Sequence, residues 1–192
     1  SNNNLKIIDF SINEINGGSI EVICAKKNSN FKTNKNKINH LFNEEKNISN
    51  KDFEKFNLRM ENSKKNLQLF LKGQNKKNII GYGASTKGNV ILNYCKLNNQ
   101  NISYICDANP TKEGKFTPGS HIKIISKNKM RKINPKYLVV LIWSFRTEVI
   151  KQEKKFIKNG GKLIFPLPVF HVVDKENYKK YLKEDFSLYS FS

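Results

Sequence analysis

The stretch Lys77 to Cys95, KNIIGYGASTKGNVILNYC, reads as a strand, a glycine-rich loop and a helix. Ile79-Ile80 is a short apolar run of the kind that forms a buried strand. Gly81, Gly83 and Gly88 punctuate the segment after it, and Thr86 to Leu97 carries helical spacing with Ser85 or Thr86 as its cap. A glycine loop between a strand and a helix is where a doubly wound sheet holds phosphate. Glycines let the backbone approach the ligand, and the N–H groups opening the helix point at it. Ser85 would add a hydroxyl and Lys87 a positive charge. The competing reading is a tight turn that only packs the helix on the sheet. Ser85 and Lys87 have no packing reason to be there, which favours a ligand.

The letters depart from each common fingerprint. A dinucleotide loop wants G-x-G-x-x-G, and here the third glycine comes two positions late, at Gly88. A P-loop wants glycine before lysine, and the order is Lys87-Gly88. A methyl-donor loop usually has an acidic residue before its first glycine, where Ile80 stands.

Working outward, strands and helices alternate. Ile102 to Cys106, Ile122 to Ile125, Tyr137 to Ile142 and Leu163 to Phe165 read as strands, the last being the final clear one. Thr86 to Leu97, Ser126 to Ile133 and Arg146 to Lys158 read as helices, with Gly160-Gly161 as a stop. The fold class is therefore α/β, a Rossmann-like doubly wound and mostly parallel sheet. Upstream, Leu5 to Ile12 and Ile20 to Ala25 flank the turn Asn16-Gly17-Gly18-Ser19 as a β-hairpin. A Lys/Asn-rich linker to Ile48 should be loop or partly helical, and mobile. A long packing helix then starts at Ser49 or Asn50 and ends at Gly73. Phe53, Phe56, Met60, Leu67 and Leu71 form its apolar face.

Asp107 ends a strand about where an acidic residue holds a ribose hydroxyl in dinucleotide folds. Equally, Asp107-Ala108-Asn109-Pro110 reads as a plain turn. The loop Lys112 to His121, with its turn Pro118-Gly119-Ser120, is expected on the carboxyl side of the strands. His121 is either a phosphate or sugar contact or a polar surface residue. Trp143-Ser144 comes directly after a strand and either stacks on a base or lids the core. Arg146 either reaches phosphate or starts a helix.

The chain has 192 residues, 35 Lys plus Arg against 16 Asp plus Glu, and a formal charge of +19. The lysines are spread along the whole chain rather than gathered on one face with aromatics, so compositional drift is favoured over nucleic-acid binding. Cys24, Cys95 and Cys106 show no CxxC spacing, and His40, His121 and His171 show no zinc spacing. Reduced thiols and a cytoplasmic location are therefore expected. No stretch is apolar enough to span a bilayer, and there is no signal-peptide core, so no membrane partner is expected.

Four strings are more specific: INGGSIEV from Ile15, IIGYGASTKGNVILNYC from Ile79, ICDANPTKEGKFTPGSHIKI from Ile105 and LVVLIWSFRTEVIKQEKKFIKNGGKLIFPLP from Leu138. In order, from about Asp9 to Val173, they resemble the C-terminal part of S-adenosylmethionine-dependent sugar C-methyltransferases, which act on nucleotide-linked deoxysugars. Such enzymes carry a four-cysteine zinc domain, a methyl-donor domain and a C-terminal Rossmann-like domain that contacts the nucleotide-sugar. The resemblance implies a hairpin closing a methyltransferase domain (1–26), a linker (27–48), the nucleotide-sugar domain (49–173) and a tail (174–192). Because the first strand begins almost at once, a piece of a longer chain is expected. The implied ligand is a dTDP- or GDP-type sugar, and the remainder of the methyltransferase chain is the implied partner. Neither S-adenosylmethionine nor zinc would be held by this chain, which alone would be inactive. The implied substrate side comprises Gly81, Tyr82, Gly83, Ala84, Ser85, Lys87, Gly88, Asp107, Asn109, Pro110, Gly119, His121, Trp143 and Ser144. Relatives typically read H-G-G-S in the hairpin, the histidine being a candidate base. Asn16 stands there instead and cannot accept a proton at neutral pH, so it is a weak catalytic candidate. The alternative is a stand-alone Rossmann domain binding NAD(P) or another nucleotide.

Overall fold

A computed structural model describes residues 3–13, 15 and 18–184. The described residues form two compact units, one built from residues up to Asn57 and one from Leu58 onward.

The first unit opens with β1 (Leu5–Asn13) and β2 (Ser19–Lys26), an antiparallel pair in which Ile12 faces Ile20 and Asn13 faces Ser19. The pairing slips by one residue between Ile7 and Asp9, a β-bulge. Part of the expected linker is helical. Helix α1 (Lys35–Lys46) is capped by Asn34, whose side chain accepts from the Lys37 amide, and it buries Ile38. Helix α2 (Asn50–Leu71) begins after Ser49, whose amide and hydroxyl both donate to Asp52 Oδ2. The expected single apolar face of α2 is only partly realised. Phe53 and Phe56 are exposed, while Ser63, Leu67 and Leu71, at four-residue spacing, are buried in the second unit.

The second unit is a six-stranded sheet in the order β5-β4-β3-β6-β7-β8. Strands β3 (Ile79–Tyr82), β4 (Tyr104–Asp107), β5 (Ile124–Ser126), β6 (Tyr137–Val140) and β7 (Lys162–Phe165) are parallel. Leu163 to Phe165, in β7, is the last strand the sequence pattern signals. The structure adds β8 (His171–Val173), antiparallel to β7, with Val173 against Leu163 and His171 against Phe165. Three residues after a proline-rich turn give too short a pattern to signal a strand.

Both faces of the sheet are covered, which is why the parallel strands are continuous apolar runs. Helix α3 (Thr86–Tyr94) and the end of α2 pack on Ile79, Ile105, Val139 and Ile164. On the other face α4 (Lys127–Ile133), α5 (Arg146–Gln152), α6 (Lys154–Lys158) and α7 (Tyr178–Lys183) cover Ile80, Tyr82, Leu138, Val140 and Leu163. The expected helix Arg146 to Lys158 is two helices. Glu153 sits at the break, its side chain fully buried and its carboxylate paired with Arg131 and Tyr82. Among the described residues no helix is long and apolar enough to cross a membrane.

Candidate functional site

Chain order and strand order together create the site. From β3 the chain adds β4 and β5 on one side, then returns to add β6 and β7 on the other. The crossovers diverge between β3 and β6, so a crevice opens at their carboxyl ends, the place where open α/β sheets take ligands. The glycine loop after β3 forms one wall and Ile142–Ser144 after β6 forms the other.

The glycines are there because neighbours leave no room. At Gly83, φ is +95° and a Cβ would lie 2.5 Å from Cγ2 of Ile142. At Gly88 a Cβ would lie 2.8 Å from Cβ of Leu141, so this glycine lets α3 approach the end of β6. At Gly81 it would meet Cδ1 of Ile105 at 2.3 Å, in the core. The Gly83 amide donates to the Cys106 carbonyl at 2.8 Å and the Leu141 amide to the Tyr82 carbonyl at 3.0 Å, joining the loop to both adjacent strands. Ser85 caps α3, its Oγ accepting from the Gly88 amide at 3.0 Å. Thr86 and Lys87 are exposed on the first turn, and by helix geometry the Thr86 N–H has no intrahelical acceptor.

Asp107, at the end of β4, is mostly buried and committed to backbone. Its Oδ2 accepts from the Ala84 amide at 2.7 Å, and its Oδ1 from the Asn109 amide at 2.8 Å. Lys112 Nζ donates to the Ala84 carbonyl at 2.8 Å and lies 3.4 Å from Asp107 Oδ2. Asn109 caps the 3₁₀ turn Pro110–Lys112, its Oδ1 accepting from the Thr111 amide. Pro110, first in that turn, fixes the backbone that returns Lys112 to the loop. The sequence places Lys112 in a polar loop on the carboxyl side of the strands. A lysine five residues beyond a strand-terminal aspartate was the available signal.

On the other wall, Trp143 and Ser144 are half-buried in a 3₁₀ turn, with Trp143 packed against the apolar clusters of both sheet faces. Arg146 comes next but is buried toward the C-terminal helix. Its Nη2 donates to the Glu184 carbonyl at 2.8 Å, and its guanidinium lies over the Tyr181 ring.

Four expected site residues lie elsewhere, Gly81 among them, inside β3 where its missing Cβ leaves room for Ile105. Tyr82 alternates to the opposite sheet face, where its hydroxyl donates to Glu153 Oε1 at 2.9 Å. Burial and the Glu153 charge raise its pKa well above the ordinary tyrosine value. Gly119 and His121 belong to a turn at the far end of α3. Asn93 Nδ2 donates to the Pro118 carbonyl, and a Cβ on Gly119 would strike Asn93 Oδ1 at 2.1 Å. Thr86 and Asn93 are seven residues apart, about 10 Å along the helix axis. The segment after Lys112 runs down beside the entry to β5, as the Phe116–Lys123 bridge shows, so its turn leaves the carboxyl side. Asn16, the catalytic candidate, falls outside the described residues, as does Gly17.

Thus the structure gathers Gly83, Ala84, Ser85, Lys87, Gly88, Asp107, Asn109, Pro110, Trp143 and Ser144 at the ends of three adjacent strands. Among the described residues no group of three His, Cys, Asp or Glu side chains is placed to hold a metal.

Comparison with known proteins gives the family. Residues 14–168 match the family described as the C-methyltransferase C-terminal domain. The chain is 30% identical over 178 residues to C-methyltransferase NovU of Streptomyces niveus, covering 90% of this chain and 42% of that protein. This chain therefore spans less than half the length of the relative it matches. With four-fifths of its residues inside the family match, the chain belongs to the C-methyltransferase C-terminal domain family.

Proposed function

We propose that this domain binds the nucleotide-linked sugar substrate of an S-adenosylmethionine-dependent sugar C-methyltransferase, the parent enzyme moving a methyl group to a sugar carbon. The observation that carries the reading is the glycine loop at the β3–β6 divergence, with α3 opening beside it and Trp143-Ser144 opposite. The diphosphate of a dTDP- or GDP-type sugar would lie against the first turn of α3, where helix-end amides and Lys87 favour negative charge. Trp143 offers the half-buried aromatic surface against which a base or sugar can rest.

The described residues do not suit the methyl donor. The acidic side chain beside the loop, Asp107, is only 13% exposed and holds a backbone amide on each oxygen, so it is turned toward the loop rather than toward the ribose of a donor. The same engagement weighs against NAD(P). We place the donor, and the zinc of such enzymes, in the part of the parent protein outside this chain, with which the domain would work in the cytoplasm. What this chain contributes is orientation. Holding the nucleotide end of the substrate rigidly fixes where the sugar projects.

Thermal-shift measurements against dTDP- and GDP-sugars, NAD(P) and S-adenosylmethionine test the reading. Stabilisation by one of the sugar nucleotides is expected. Stabilisation by NAD(P) alone would overturn it in favour of a stand-alone dinucleotide domain.

A further inference from the structure

We infer that Asp107 and Lys112 are a pair of positioning residues that shape the nucleotide-sugar loop from behind, a reading that rests on the function proposed above. The two peptide groups flanking Ala84 are each held by one member of the pair. Asp107 Oδ2 takes the N–H on one side at 2.7 Å, and Lys112 Nζ gives to the carbonyl on the other at 2.8 Å. The members also pair with each other at 3.4 Å, their side chains 13% and 37% exposed. A residue clamped through both its N–H and its C=O has little freedom in φ or ψ. Ala84 is the last residue before the Ser85 cap, so its backbone angles set the direction in which α3 opens its first amides.

The chain supplies the clamp from one place. β4 ends at Asp107, the Asn109-capped turn reverses the backbone, and Lys112 comes back beside the carboxylate. Asp107 Oδ1 holds the Asn109 amide, so one carboxylate fixes both the turn that delivers Lys112 and the loop that Lys112 touches. A carboxylate only 13% exposed and bonded on each oxygen to a loop amide is turned toward the loop rather than toward a ribose diol. The position that reads ribose in dinucleotide folds is here spent on loop geometry, and selectivity for the ligand falls to the loop amides and the opposite wall.

A double-mutant cycle on the full 192-residue chain tests this, with thymidine and guanosine diphosphate as the calorimetric probes. Lys112→Met and Asp107→Ala should each weaken binding of the diphosphate that the wild type takes by at least tenfold. Together they should cost little more than either alone, because both act through the Ala84 peptide groups. Lys112→Arg, which keeps a donor within reach of the carbonyl, should recover most of the loss. Hydrogen exchange supplies the readout of position itself: in Asp107→Ala the Ala84 amide should exchange at least tenfold faster while core amides of β6 are unchanged. Fully additive losses would mean two independent ligand contacts and would overturn the inference, as would unchanged binding or unchanged Ala84 exchange. If the wild type binds neither diphosphate, the nucleotide-sugar reading fails and takes this one with it. Wild-type binding with indifferent variants sinks the clamp alone.

Discussion

Replacing Gly83 with alanine should damage the fold at the mouth of the site, by an amount the geometry allows one to separate into two parts. The backbone there has φ of +95°, which costs an L-residue roughly 1–2 kcal/mol. The new Cβ would also lie 2.5 Å from Cγ2 and 3.0 Å from Cγ1 of Ile142. Overpacking of that kind adds about 1–3 kcal/mol. The sum is roughly 2–5 kcal/mol, a large part of a domain stability of about 5–15 kcal/mol. Gly73 provides the control. Its φ is +83° and nothing lies within 4 Å of its Cβ direction, so Gly73→Ala carries the backbone part only. Trp143 is the single tryptophan and belongs to the same unit, so its fluorescence in a urea titration reports on this unit. With a urea slope of about 2 kcal/mol/M, Gly83→Ala should lower the midpoint by roughly 1–2.5 M and Gly73→Ala by less than about 1 M. In a double-mutant cycle, Ile142→Ala should cost about 1–3 kcal/mol less in the Gly83→Ala background than in the wild type, because it removes both clashing carbons. Equal costs at Gly83 and Gly73, or additive effects of Gly83→Ala and Ile142→Ala, would refute the claim that Ile142 makes this position a glycine.

Tyr82→Phe removes a donor to the buried Glu153 carboxylate and should cost about 1–3 kcal/mol in urea unfolding. It should leave nucleoside-diphosphate affinity unchanged, because the ring lies on the opposite sheet face, and a large loss of affinity would contradict that placement. Burial of His171 between Phe165 and Tyr181, aided by the Arg146 charge, holds its pKa below the ordinary 6.5. The folded state therefore binds fewer protons than the unfolded state just below pH 6.5, and stability should fall as pH drops from 6.5 toward the folded pKa. His171→Phe should flatten that part of a stability–pH curve, and an unaltered curve would show that other groups produce it. Cys24 is exposed, whereas burial pushes the Cys95 thiol up to about 11 and the Cys106 thiol to about 12. A disulfide reagent at about pH 8 should thus modify Cys24 rapidly and the other two only on unfolding, and fast loss of two or more thiols would count against the buried placement.

What the sequence determined by itself was periodicity and punctuation. Short apolar runs at Ile79-Ile80, Tyr137 to Ile142 and Leu163 to Phe165, separated by helical patterns, require a parallel sheet covered on both faces, and that sheet is present. The glycine loop was legible because positive φ and close helix approach admit few residues other than glycine. The four strings of family resemblance led to the family that the comparison shows. Tertiary structure alone decided which loops share an end of the sheet. The turn bearing Gly119 and His121 lies soon after β4 in sequence, yet an antiparallel run through Phe116 and Lys123 carries it to the far end of α3. Tyr82 lies between two glycines of the loop, but strand alternation turns it to Glu153 on the other face. Asp107 stands where a ribose ligand is expected, and only the fold shows it mostly buried with its oxygens on the Ala84 and Asn109 amides. A residue's type and spacing limit the chemistry open to it. Which partner satisfies it depends on the three-dimensional packing that brings distant backbone within hydrogen-bonding reach.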